Sequence, residues 1–239
     1  MAAECPISIR QEIVGRCNEA LQNIRQACIH ADRDPAEVTL MAVTKTVPPE
    51  QVNAAVAAGI RVLGENRVQE YLSKKEDYDP DAEVQFIGHL QTNKVKQIVG
   101  NVTLIHSVDS LHLAQEISKQ ARIKQLVQPI LLEVNIAGEA SKSGVSPNAL
   151  PDLLRDVLQL QELKICGLMV IPPPFTDPCT ADRIFGEVNA LYRKMQAIAP
   201  MDTLSMGMSG DYTAAIRHGS TMVRLGSALF GKRVYPPKP

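Results

Sequence analysis

Eight short apolar runs, most of them rich in β-branched residues, alternate with helix-like stretches along this chain, and that alternation limits the fold more than any other feature. The runs are Val38 to Thr44, Val62 to Glu65, Val84 to His89, Thr103 to Val108, Pro129 to Ile136, Leu163 to Ile171, Leu204 to Met208 and Met222 to Phe230. Strand followed by helix, repeated, builds a parallel sheet covered by helices. Eight repeats match a closed (β/α)8 barrel of the TIM type. An open doubly wound sheet is the rival, because the same alternation builds both.

Helix signals fall between the runs. Pro48-Pro49 opens a helix that Gly59 closes, Asp109 is placed to cap the stretch through Ala121, and Ser146-Pro147 opens another. Ahead of the first run, Ile9, Ile13, Cys17, Leu21, Ile24 and Cys28 recur three or four apart, which predicts an extra amphipathic N-terminal helix over about residues 7–31, read as a lid preceding the barrel. The Pro172-Pro173-Pro174 run reads as a loop and the Pro236 to Pro239 tail as a frayed end. A length of 239 residues with 45% hydrophobic content is the usual size of one barrel domain. The expectation is therefore a single α/β domain over 1–239, with the barrel at about 36–231.

Charge and cysteine usage exclude several classes. Lys and Arg total 25 against 26 Asp and Glu, without a long block of one sign, so neither a nucleic-acid surface nor a polybasic membrane surface is expected. Cys5, Cys17, Cys28, Cys166 and Cys179 are odd in number and lack a CxxC pair, which argues against a disulfide framework and against a zinc site. The first residues carry charges where a signal peptide needs an apolar run, and no stretch approaches a membrane span. These features predict a soluble cytoplasmic protein whose partners are small molecules.

In a barrel the working residues sit where strands end and loops begin. Lys45 follows the first strand and, counted by twos, shares a face with Val43 and Met41. A lysine in a partly desolvated mouth can attack an aldehyde to form an imine, which arginine cannot do; the plain alternative is a solvated lysine at a strand end. At the other end of the chain, the loops after strands seven and eight of a barrel commonly hold a phosphate. Ser209-Gly210 can act there as a helix N-terminus and Gly226-Ser227 as a second small turn, together cradling one anion. The alternatives are ordinary N-capping by Ser209 and a packing glycine at 226. Arg224 alternates with Val223 and Leu225, so it faces the barrel interior if they face the helices; a guanidinium buried there needs an acceptor, and a salt bridge with Glu65 is one possibility.

At this point the motifs AVTKT, GENRVQE, IGHLQTNK, IHSVDS, SMGMSGD and VRLGSALFG, in this order between about residues 38 and 231, resemble those of the pyridoxal phosphate homeostasis proteins, which are similar to the barrel domain of alanine racemase. The resemblance implies a fold type III-like barrel binding pyridoxal 5'-phosphate (PLP), with Lys45 as the Schiff-base lysine. It also implies that Ser209, Gly226 and Ser227 lie near the phosphate, that Arg224 faces the pyridine nitrogen and that Asn66 lies beside the ring. Lys142, in the EASKSG loop, matches a family lysine near the site and is kept as an accessory candidate. One departure is that the family usually has an aromatic residue and a histidine where this chain has Val84-Gln85.

A cationic arginine opposite the ring nitrogen disfavours its protonation and leaves a milder electrophile. A racemase also adds a β domain and a partner-subunit tyrosine as second base. Of Tyr71, Tyr78, Tyr192, Tyr212 and Tyr235, four read as packing or surface residues, and Tyr212 as the start of the phosphate helix. The resemblance thus implies a carrier that buffers PLP, influences amino-acid balance and delivers the cofactor to PLP-dependent apo-enzymes, without turnover and as a monomer. A weak PLP-dependent amino-acid racemase is the alternative, and a Schiff-base aldolase acting on a phosphosugar without PLP is a more distant one.

Overall fold

A computed structural model describes residues 5–139, 142–173, 175 and 177–231. Eight strands, β1 (Thr39–Val43), β2 (Val62–Glu65), β3 (Glu83–Phe86), β4 (Leu104–Val108), β5 (Gln128–Val134), β6 (Leu163–Val170), β7 (Thr203–Ser205) and β8 (Met222–Leu225), close into a barrel in chain order. Closure is carried by β1 pairing in parallel with β8, with Leu40 opposite Val223 and Met41 opposite Arg224. The open-sheet alternative is therefore excluded. Around the barrel run α1 (Ile7–His30), α2 (Pro49–Ala57), α3 (Val68–Lys74), α4 (Val95–Ile98), α5 (Leu111–Ile123), α6 (Leu150–Val157), α7 (Pro178–Gln196), α8 (Tyr212–Arg217) and α9 (Ser227–Phe230).

Strand alternation sorts the core into two layers. Leu40, Ala42, Leu63, Phe86, Leu168, Val223 and Leu225 join the cluster packed under the helices. Met41, Val43, Ile87 and Met222 form a separate cluster inside the barrel, and Leu104, Leu131 and Met169 form another.

The N-terminal helix fills a vacancy rather than acting as a lid. The helix after β8, α9, is only 4 residues long, too short to cover the β1/β8 seam. The buried stripe Ile13, Cys17, Ala20, Ile24, Ala27 and Cys28 of α1 takes that place, packing against α2, α8 and α9.

Several boundaries differ from expectation. The apolar run through Phe230 is not one strand: β8 stops at Leu225, and Ser227 to Phe230 turn into helix. Ser110, not Asp109, caps α5, accepting from Leu113 N at 3.4 Å. Ser146 opens a turn by accepting from Ala149 N, and α6 begins at Leu150. Pro174, the tail 232–239 and Tyr235 lie outside the described residues. Among the described residues no helix is long and apolar enough to cross a membrane.

Candidate functional site

Lys45 comes one step beyond Thr44 on the parity of Met41 and Val43, so strand alternation points it into the barrel mouth. It lines a cavity of about 290 Å³ together with Asn66, Ser209, Arg224, Gly226 and Ser227. All six residues proposed from the sequence as cofactor contacts thus meet in one place.

The loop that carries Lys45 is held from behind by a polar cluster on the outer face of the barrel. Thr44 Oγ1 donates to Glu65 Oε1 at 2.7 Å, and the Tyr78 hydroxyl donates to the same oxygen at 2.5 Å. Lys74 Nζ reaches the Thr44 carbonyl at 3.3 Å and the Glu70 carboxylate at 2.5 Å, and Glu70 accepts from the Thr46 backbone N–H. Thr46 sits at φ +62°, a left-handed conformation that a β-branched residue adopts only under constraint. Both neighbours of Lys45 are therefore pinned. Glu65 is fully buried in this cluster, and burial, followed by the Glu65 charge, raises the Tyr78 phenol so that it remains a donor.

This placement removes the sequence-based salt bridge between Glu65 and Arg224. Glu65 has the parity of Leu63 and faces the helices, whereas Arg224 lies inside, 4% exposed. Arg224 instead donates to Ser205 Oγ at 2.8 Å and to the Val170 carbonyl at 2.9 Å. Burial lowers its pKa to about 10, with Asp211 and Glu133 opposing the drop, so it stays cationic at neutral pH.

Across the mouth from Lys45, the loops after β7 and β8 are tied together by Ser209. Its hydroxyl accepts from the N–H groups of Gly226 and Ala228, both at 3.4 Å. Ser209 is not the N-cap of α8; that position belongs to Asp211, whose carboxylate accepts from Met208 N at 2.6 Å. Long hydrogen bonds to a neutral hydroxyl are readily replaced by stronger ones to an anion. An exposed Ser227 hydroxyl beside these N–H groups completes a small anion cradle.

Asn66 supplies a further sign of an absent partner. Its Oδ1 is buried and without a hydrogen-bond partner among the described residues. Gly88 holds it close: a Cβ there would come within 2.0 Å of the Asn66 carbonyl oxygen. An amine, an anion cradle, an interior guanidinium and an unsatisfied amide, all on one cavity, fit an aldehyde-bearing aromatic phosphate such as PLP.

Lys142 is not among the residues of this cavity. It is ion-paired with Glu139 at 2.8 Å and lines a neighbouring cavity with His89, Ser143 and Glu133. Reading the sequence alone missed three interior groups. His106 Nε2 lies 2.7 Å from Gln85 Oε1, and burial, then Arg224, holds the imidazole neutral. Gln85 thus has a defined role inside the barrel at the position where the chain departs from the family pattern. Glu133 is also buried, and desolvation, with Asp109 adding to it and Arg224 opposing it, raises its pKa to about 7. Its alternation with Leu131 was the available signal.

Fold and site together define a (β/α)8 barrel whose mouth pairs a lysine with a phosphate-sized anion cradle. The family model for the alanine racemase N-terminal domain matches residues 17–234. A pyridoxal phosphate homeostasis protein of Aquifex aeolicus is 44% identical over 223 residues, 92% of this chain and 98% of the relative. The crystal structure of an unknown protein from Bifidobacterium adolescentis is similar at 33% identity and a TM-score of 0.90, covering 96% of this chain and 99% of that one. PipY of Synechococcus elongatus, solved with PLP bound, is 35% identical with a TM-score of 0.78, covering 87% of this chain and 98% of that one. The chain belongs to the pyridoxal phosphate homeostasis protein family.

Proposed function

We propose that this protein binds PLP as a Schiff base on Lys45 and serves intracellular PLP homeostasis and amino-acid balance as a carrier rather than as an enzyme. The observation that carries the reading is the convergence of Lys45, Asn66, Ser209, Arg224, Gly226 and Ser227 on one cavity. The PLP-bound structure of PipY and the names of the relatives support it. When bound, PLP supplies an aldehyde that an amine captures reversibly and a ring able to act as an electron sink.

The remaining roles belong to the chain. Lys45 supplies the amine, oriented by the anchored Thr44 and Thr46 backbone. Ser209, Ser227 and the N–H groups at Gly226 and Ala228 hold the phosphate. Asn66 offers its amide beside the ring. Arg224, fixed by Ser205 and Val170, would present its cation to the ring of bound PLP and so disfavour protonation of the ring nitrogen. Low turnover follows from that cation.

The test is spectroscopic. Wild-type protein mixed with PLP gains an imine absorbance band, Lys45→Ala does not, and neither exchanges the α-hydrogen of amino acids in heavy water. Exchange that depends on Lys45 would instead identify a weak racemase.

A further inference from the structure

The barrel mouth holds a second cavity, of about 230 Å³, which shares Asn66, Ile87 and Ile171 with the cavity of Lys45. One of its walls is Glu133, only 7% exposed. The Glu133 carboxyl takes no hydrogen bond from the described residues, although Arg224 and Asp109 act on it through space. Asn66, which lines both cavities, has an Oδ1 that is likewise buried and unpartnered among the described residues. One small cavity is therefore lined by a carboxyl without a hydrogen bond and by an asparagine whose amide oxygen has no donor among the described residues. Buried acceptors left unsatisfied are costly, so an occupant that brings N–H groups is favoured.

A metal ion is a poor candidate, because among the described residues no group of three His, Cys, Asp or Glu side chains is placed to hold one. At the outer wall, Lys142 is engaged by Glu139, and Ser143 Oγ lies 3.2 Å from His89 Nδ1. These pairings leave Glu133 as the carboxylate open to the cavity. A volume of about 230 Å³ suits a small ligand better than a drug-sized one.

We propose that this cavity is a subsite for a small primary amine, whose ammonium donates to the Glu133 carboxylate and to Asn66 Oδ1. The inference rests on the PLP reading for its purpose, since an amine seated here lies next to the cavity in which Lys45 holds the aldehyde. Its binding chemistry does not require the cofactor. A bare alkylamine and an amino acid share the ammonium, and two probes separate them.

Calorimetry on the cofactor-free protein, and on protein to which PLP has been fixed with borohydride, tests the subsite with methylamine and glycine. Saturable binding of either probe is expected, and the tighter one names the source. Glu133→Gln should weaken binding about tenfold or more, and so should replacing the probe with tetramethylammonium, which keeps the charge but has no N–H. Unchanged binding in Glu133→Gln, equal binding of tetramethylammonium, or no binding of either amine overturns the proposal. Should Glu133→Gln fail to fold, the tetramethylammonium comparison on the unaltered protein decides alone. Amine binding without any imine band after PLP addition overturns the PLP reading and leaves the subsite standing; the band without amine binding does the reverse.

Discussion

Glu133 shows how a single side chain can be legible in position and illegible in consequence. Alternation with Leu131 is enough to turn it inward, but its raised pKa comes first from burial in the closed barrel and then from Asp109 in the loop after β4, with Arg224 of β8 opposing the rise. The ordinary value is 4.5 and the folded value about 7, so the barrel favours the protonated form. Its contribution to stability is intact below about pH 4.5 and is lost as pH rises through about 7. Glu133→Gln cannot ionise, and urea unfolding of cofactor-free protein should show a flatter decline over that range. The variant's gain relative to wild type between about pH 4.5 and 8 should reach up to about 3 kcal/mol. An identical decline in both proteins would contradict the assigned burial. Arg224 was readable in the same partial way: strand parity sent it inward, but Ser205 and Val170 as its acceptors required the register of β6 with β7 and the closure of the barrel.

At the scale of elements, the β1 loop, α3 and the segment leading to β3 act as one clamp on Lys45. Tyr78, Thr44 and Glu65 are far apart in sequence, and nothing in their local patterns announces that they meet. Tyr78→Phe removes one of two hydrogen bonds to a buried carboxylate and should destabilise the fold by about 1–3 kcal/mol in urea unfolding. If Tyr78 only fills space, the variant will match wild type. Strand positions were legible because β-branched runs and turn residues mark them, and the predicted and observed β2 coincide. The end of β8 was legible only in part: Gly226-Ser227 reads as a small turn, but the apolar residues Ala228 to Phe230 beyond it do not by themselves separate a strand end from the short helix after Gly226. Asp109 and Ser110 are both good caps, and only the backbone geometry selects Ser110.

For the whole molecule, the barrel is completed by a helix from the opposite end of the chain. Its existence and buried face were readable from the spacing of Ile13, Cys17, Ile24 and Cys28, but its place in the outer ring was not, because that depends on α9 being a single turn. Ile24→Ala should cost about 2–5 kcal/mol in global stability, detectable as a lower urea midpoint with unchanged slope. A negligible loss would mean that α1 is an appendage. PLP binding should add to stability by mass action, about 2.7 kcal/mol at one hundred times the dissociation constant. Both ends of the chain thereby meet at the site: the Lys45 loop near one, and the Ser209 and Ser227 cradle near the other. The most direct measurement of the central claim is borohydride reduction of the PLP-treated protein followed by peptide mapping. The pyridoxyl label is predicted on the peptide containing Lys45; a label on Lys142 or another lysine instead, or no stable label, would contradict it.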